Sequence, residues 1–256
     1  MIRTKGLIAA GLIAATGAAQ AAGLSSTWTV TNDYDFRGIT QSAHEAALQG
    51  SVDYAWSSGF SAGAWVSNIN FDNCCDEKVE LDLYGGYSKS FEGGFGVTVN
   101  GVYYTYPGAS LGTGLPNPNY WEVNVGANYK NFAVKYWYSG DFGHYEDVFK
   151  LISDGAVDSA KAWYAEANYS FALPKDISVA LHAGFSGGDY WDNIGVVSGG
   201  PSAKYEDYSV GFSKTFGDYT VSAKYVYPKV DDAWKVTEHA FANNPRAIIS
   251  VATTFQ

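Results

Sequence analysis

The chain has 256 residues, a formal net charge of -10, 16% charged residues and 16% aromatic ones. Soluble domains carry about 25% charged residues and helical membrane proteins need about 18 consecutive apolar residues per span, so neither class fits a chain whose mean hydropathy is -0.14. The acidic balance excludes a nucleic-acid partner, whose phosphates require a basic patch, and the 8 Trp, 20 Tyr and 14 Phe exclude disorder.

At the N-terminus, Arg3 and Lys5 precede an apolar stretch from Gly6 to Ala15. Ala19-Gln20-Ala21 then supplies small residues at the spacing of a signal-peptidase site. The pattern predicts a signal peptide over residues 1–21, cleaved after Ala21, and a single domain over 22–256. The apolar run is too short for a membrane anchor. Cleavage removes Arg3 and Lys5 and no acid, which takes the charge from -10 to -12.

From there the chain alternates apolar and polar residues at period two, the signature of strands with two unlike faces. Trp121, Val123, Val125, Ala127 and Tyr129 alternate with Glu122, Asn124, Gly126 and Asn128. The same pattern predicts strands over 26–38, 47–57, 60–68, 78–90, 95–104, 121–129, 132–139, 161–172, 177–186, 203–215, 218–227 and 246–256. Short links at 57–59, 91–94, 130–131, 173–176 and 216–218 alternate with long ones at 39–46, 69–77, 105–119, 140–160, 187–202 and 228–245.

Twelve strands with alternating short and long connections predict an all-β fold, a transmembrane antiparallel up-and-down barrel of the outer-membrane type. Both termini then lie on the short-turn, periplasmic side. Rings on the apolar parity bracket the short turns, as at Trp56 and Phe60, Phe91 and Phe95, Tyr129 and Phe132, and Phe216 and Tyr219. A second set, including Phe36, Tyr103, Tyr136, Phe185 and Tyr225, falls near the long loops, matching two membrane interfaces. A secreted β-sandwich also alternates, but it has no reason to repeat rings at two levels, and its sheet edges would need protection.

The opposite parity faces the lumen in such a barrel. It carries Asp33, Asp35, Arg37, Asp53, Glu80, Asp82, Glu122, Lys135, Glu166, His182, Asp207 and Lys224. Eight of these are acids and three are permanent cations, an excess that cannot fully pair; it points to a solvated lumen and, by the attraction of carboxylates for cations, to cation preference. Asp33, Asp35 and Arg37 lie at period two on the first strand, as a salt-bridge ladder that fixes register or as a charged constriction.

Asp33-Tyr34-Asp35-Phe36-Arg37-Gly38-Ile39-Thr40-Gln41-Ser42 resembles a stretch of the TorF-like putative porins, proteobacterial outer-membrane proteins of uncharacterised function. The resemblance continues at Ala47–Gly50, Gly63–Asn68, Val79–Tyr87 and Tyr103–Gly108, and thins to pattern alone in the second half. It implies an outer-membrane barrel and suggests transport, without a substrate or a catalytic residue. Outer-membrane barrels commonly end in an aromatic residue, whereas Phe255 here is followed by Gln256.

Chemistry beyond transport finds little support. Of His44, His144, His182 and His239, His182 shares its parity with Ser178 and Ser186, which lie too far along the strand for direct contact, and no G-x-S-x-G, H-E-x-x-H or P-loop motif is present. Cys74 and Cys75 are adjacent in a predicted outer loop beside Asp72, Asp76 and Glu77, too sparse a set for a zinc site. Neither metal nor cofactor is expected. The remaining acidic loops read as solvated faces against lipopolysaccharide. The expected partners are membrane lipid, lipopolysaccharide and small polar solutes or ions. The expectation is therefore a porin-like channel, with a non-conducting structural barrel as the second reading and an outer-membrane hydrolase as the third.

Overall fold

The computed structural model describes residues 22–72, 77–110 and 117–256. Twelve antiparallel strands close into one barrel. In chain order the wall consists of β1 Gly23–Thr31, β4 Ala47–Ala55, β5 Phe60–Asn68, β6 Val79–Ser90, β7 Phe95–Thr105 and β8 Tyr120–Tyr129. It continues through β9 Phe132–Ser139, β10 Ala162–Leu173, β11 Ile177–Gly187, β12 Glu206–Phe216, β13 Tyr219–Lys229 and β14 Arg246–Phe255. Each strand pairs with its sequence neighbours in the wall, and β14 closes on β1, with Val30 opposite Val251 and Ser26 opposite Phe255. Two further strands, β2 Asp35–Phe36 and β3 Ile39–Thr40, pair only with each other. Helices α1 Tyr145–Ile152 and α2 Asp189–Ser198 lie in long loops.

Burial shows which way the pleat faces. On β8, Trp121, Val123, Val125 and Tyr129 are 45–54% exposed, while Glu122 and Asn124 between them are 1% exposed. A soluble sandwich would bury the apolar parity; here that parity forms the outer surface, where only lipid satisfies it. The ring girdle at the short turns is outward as well, with Trp56, Phe60, Phe95, Tyr129, Phe216 and Tyr219 all exposed. Lysines share that level: the Lys89 ammonium lies 5.3 Å from the Phe91 ring centre and that of Lys214 lies 5.4 Å from Phe216. No helix among the described residues is long and apolar enough to span a membrane.

This inversion gives a direct test. Val125→Arg, which puts a charge on the outer face of the wall, is expected to cost about 2–4 kcal/mol in urea unfolding from lipid vesicles. The same substitution at Phe216, beside a turn, is expected to cost about 0–1 kcal/mol. Equal costs at both sites would contradict the lipid-facing assignment.

One expected strand is shorter than its pattern. The alternation over 26–38 continues past the end of β1 at Thr31 because β2 is itself extended. The Thr31 hydroxyl donates to the Asp33 carbonyl at 2.9 Å, and Asn32 takes over the β14 edge by accepting from the Ile249 amide at 2.6 Å. The chain then leaves the wall and folds inward. Asp33, Asp35 and Arg37 are therefore not three side chains on one face of a wall strand, and Phe36 is not part of the outer ring belt: it packs inside, 6.0 Å from Tyr104.

Candidate functional site

The inward segment, residues 32–46, lies across the lumen and is gripped from opposite walls. On one side Arg246 of β14 is the anchor. Its Nε donates to Asp33 at 2.6 Å, its Nη2 to Asp35 at 2.5 Å and its Nη1 to the Gly38 carbonyl at 2.9 Å. Lys224 of β13 donates to the second Asp35 oxygen at 2.9 Å. Asp33 also accepts from the Thr40 and Ser42 hydroxyls and lies 3.1 Å from His44 Nδ1, which locks the segment on itself.

Across the lumen, Arg37 makes two parallel hydrogen bonds to Glu122 of β8, at 2.9 and 2.7 Å. Such a forked pair fixes orientation as well as distance. Tyr34, Phe36 and the wall rings Tyr104, Tyr120, Trp137 and Tyr164 pack around it as one cluster with Tyr106 and Phe71 from the loops. Rings then continue outward from Tyr120 to Phe142 at 4.7 Å, and from Phe142 to Tyr190 at 4.9 Å. In the long loops, Tyr106 packs on Phe71 at 5.8 Å and Trp191 meets Tyr205 edge-on at 5.1 Å.

A second group lies on β9 to β12. His182 Nε2 is 2.9 Å from Asp207 and Nδ1 is 2.8 Å from Asn168 Oδ1. The Asn168 amide is oriented by its own donation to Glu166 at 2.9 Å. Tyr164 donates to Asp207 at 2.7 Å, and Trp137 donates to Glu166 at 2.9 Å. Glu166 also faces Lys135 across the β9–β10 pair. His182 thus has acceptors at both ring nitrogens, with the Tyr164 hydroxyl also 3.0 Å from its Nε2, and no serine or cysteine among these contacts.

Three carboxylates stand apart. Asp53 accepts from the Tyr84 and Ser51 hydroxyls at 2.5 and 2.7 Å, and Glu80 accepts from Tyr106 at 3.3 Å. Asp82, 1% exposed, has no hydrogen-bond partner among the described residues. Beneath the hairpin a cavity of about 40 Å³ is lined by Thr29, Asp35, Gln49, Ser222 and Lys224 among others, room for a few water molecules.

The expected excess of unpaired acid is thus smaller than the sequence count. Asp33, Asp35, Glu122 and Glu166 all meet permanent cations, because Arg246 adds to the three counted from sequence, and Asp207 is held by His182 and Tyr164. Arg246 was missing from that count although its parity reveals it: it alternates with the outward Ala247, Ile249 and Val251. Cys74 and Cys75 lie outside the described residues, as does the expected signal peptide. Among the described residues no group of three or more His, Cys, Asp or Glu is arranged to hold a metal ion.

A family model described as "Bacterial protein of unknown function (Gcw_chp)" matches residues 15–255. No curated protein matches the sequence. Among solved structures, the KdgM porin superimposes with a TM-score of 0.51 at 10% identity, covering 91% of this chain and 99% of that one. The NanC porin does so with a TM-score of 0.55 at 10% identity, covering 91% of this chain and all of its own. At such identity the likeness is one of fold. With nearly its whole length matched, the chain belongs to the Gcw_chp family of bacterial proteins of unknown function, and it is built on the porin type of closed barrel.

Proposed function

We propose that the protein is an outer-membrane channel for diffusion of small polar solutes or ions, preferring cations, with the 32–46 segment as its gate. The carrying observation is an acidic lumen inside a lipid-facing wall. On this reading the chain is exported and cleaved after Ala21, its termini face the periplasm, and lipid and lipopolysaccharide surround the outer face. It performs no chemical turnover. The TorF-like putative porins are the family name this reading favours.

Charge argues against borrowing a substrate from the structural neighbours. The KdgM porin has been solved with oligogalacturonate, an anionic sugar chain. Here Arg37, Arg246 and Lys224 are already engaged by carboxylates of the chain, and Asp53 meets only hydroxyl groups, so an anion entering this lumen finds no free partner among them. A cation would be drawn in.

The buried segment favours a second reading, a barrel that stays closed and serves only as a structural or surface-interaction element. Single-channel recording of the refolded protein separates the two. Step conductance with a reversal potential on the cation side of a salt gradient is expected. Anion selectivity would overturn the cation preference, and silence over the whole voltage range would favour the closed barrel.

A further inference from the structure

Arg37 occupies a backbone position that a hairpin ordinarily gives to another residue. β2 and β3 are joined by two residues only, Arg37 at φ 51° and Gly38 at φ 85°. Two left-handed residues in succession make the tight turn in which Asn-Gly is the common choice. Gly38 satisfies this rule and also a steric one, since a Cβ there would come 2.7 Å from Asp207 Cβ. A long cationic side chain at the first position satisfies neither. A costly backbone state held at one residue points to what its side chain does.

That side chain ends in a receptor built mainly by the wall, to which the hairpin adds the Phe36 ring, 4.6 Å from Arg37 Cζ. Glu122 of β8 accepts both arms of the guanidinium, and the Tyr104 hydroxyl of β7 donates to the same carboxylate at 3.0 Å and orients it. Trp137 of β9 and Tyr164 of β10 put their ring centres 5.0 and 4.5 Å from Arg37 Cζ. Four consecutive strands each supply one group, and none of the four belongs to the hairpin. A forked carboxylate between two π faces suits a planar guanidinium and is poorly matched to a compact ammonium. The other edge of the hairpin is held separately, by Arg246 and Lys224.

We propose that Tyr104, Glu122, Trp137 and Tyr164 form a binding site for guanidinium-bearing solutes, which Arg37 occupies in cis as the latch of the gate. A solute carrying a guanidinium competes with Arg37 for Glu122 and releases one edge of the hairpin. This rests on the channel reading above and narrows its cation preference to a chemical class.

The test uses the refolded full chain, with heat-modifiable gel migration as the check of folding. Arg37→Ala is expected to open the pore relative to the wild type. Millimolar L-argininamide should raise the wild-type current towards the Arg37→Ala level by displacing the latch, while L-lysinamide at the same concentration should leave it unchanged. The double variant Arg37→Ala with Glu122→Gln should be open and insensitive to both. Calorimetry in micelles should show argininamide binding to Arg37→Ala and loss of that heat in the double variant. Arg37→Lys, which keeps a cation opposite Glu122 should Arg37→Ala fail to fold, is expected to bind argininamide more tightly than the wild type. Binding in a barrel that never conducts supports the site and overturns the channel reading. Conductance or binding that does not distinguish argininamide from lysinamide overturns the site, as does an Arg37→Lys protein identical to the wild type.

Discussion

Replacing Arg246 with methionine is expected to destabilise the barrel by about 3–5 kcal/mol and to expose residues 32–46 to protease, because it breaks a buried ion pair by removing one partner. The arginine is 9% exposed, Asp33 is 4% exposed, and the two share a 2.6 Å contact. Methionine fills much of the same volume but donates nothing, so Asp33 keeps only hydroxyls and His44, while Asp35 keeps Lys224. The Gly38 carbonyl loses its donor as well. Converting Asp33 too, in Asp33→Asn with Arg246→Met, is expected to recover part of the loss, since Asp33 then carries no charge and Asp35 keeps Lys224. Urea unfolding in vesicles gives the stability, and limited proteolysis reports on the segment. A single variant as stable as the wild type, with residues 32–46 still resistant, would remove Arg246 as the anchor.

What the sequence discloses here, and what it hides, follows from the range of the interactions. A pleat is local: Trp121, Val123 and Val125 alternate with Glu122 and Asn124 because adjacent side chains point to opposite faces, and that pattern survives in any strand. The twelve wall strands, the outward rings at Trp56 and Phe95 and the inward acids of β6 and β8 were legible for this reason. The point where a strand leaves the wall is not local. Asp33-Tyr34-Asp35-Phe36 keeps period two through the departure, and only a contact 213 residues away, from Arg246 to Asp33, shows that the chain has turned inward. Phe36 carried the same ambiguity. An apolar ring at the lipid-facing parity becomes a core ring once its backbone enters the lumen. The Arg37–Gly38 dipeptide was the one local warning, since a glycine after a short alternating run is a turn signal.

Excising the gate should have the larger functional effect. Thr31 and Ala47 are directly paired across β1 and β4, so residues 32–46 are an insertion between two positions already at hairpin distance. Replacing the whole segment with Asn-Gly supplies a two-residue turn whose twist suits the flanking strands. The shortened chain is expected to fold into the same twelve-stranded wall and to conduct continuously in planar bilayers, without the closures of the full-length protein. Its stability should fall, since Arg246, Lys224 and Glu122 lose their partners on the segment. Water entering the opened lumen limits that loss by hydrating all three. The deletion also sharpens the selectivity argument. It removes Asp33, Asp35 and Arg37 and leaves Asp53, Glu80, Asp82, Glu122, Glu166 and Asp207 facing Lys135, Lys224 and Arg246. Carboxylates still outnumber cations, so potassium should carry more of the current than chloride, and Glu80→Gln with Asp82→Asn should move the reversal potential towards zero. A folded deletion variant that stays silent would locate the block in the loop rings Phe142 and Tyr190, outside the segment.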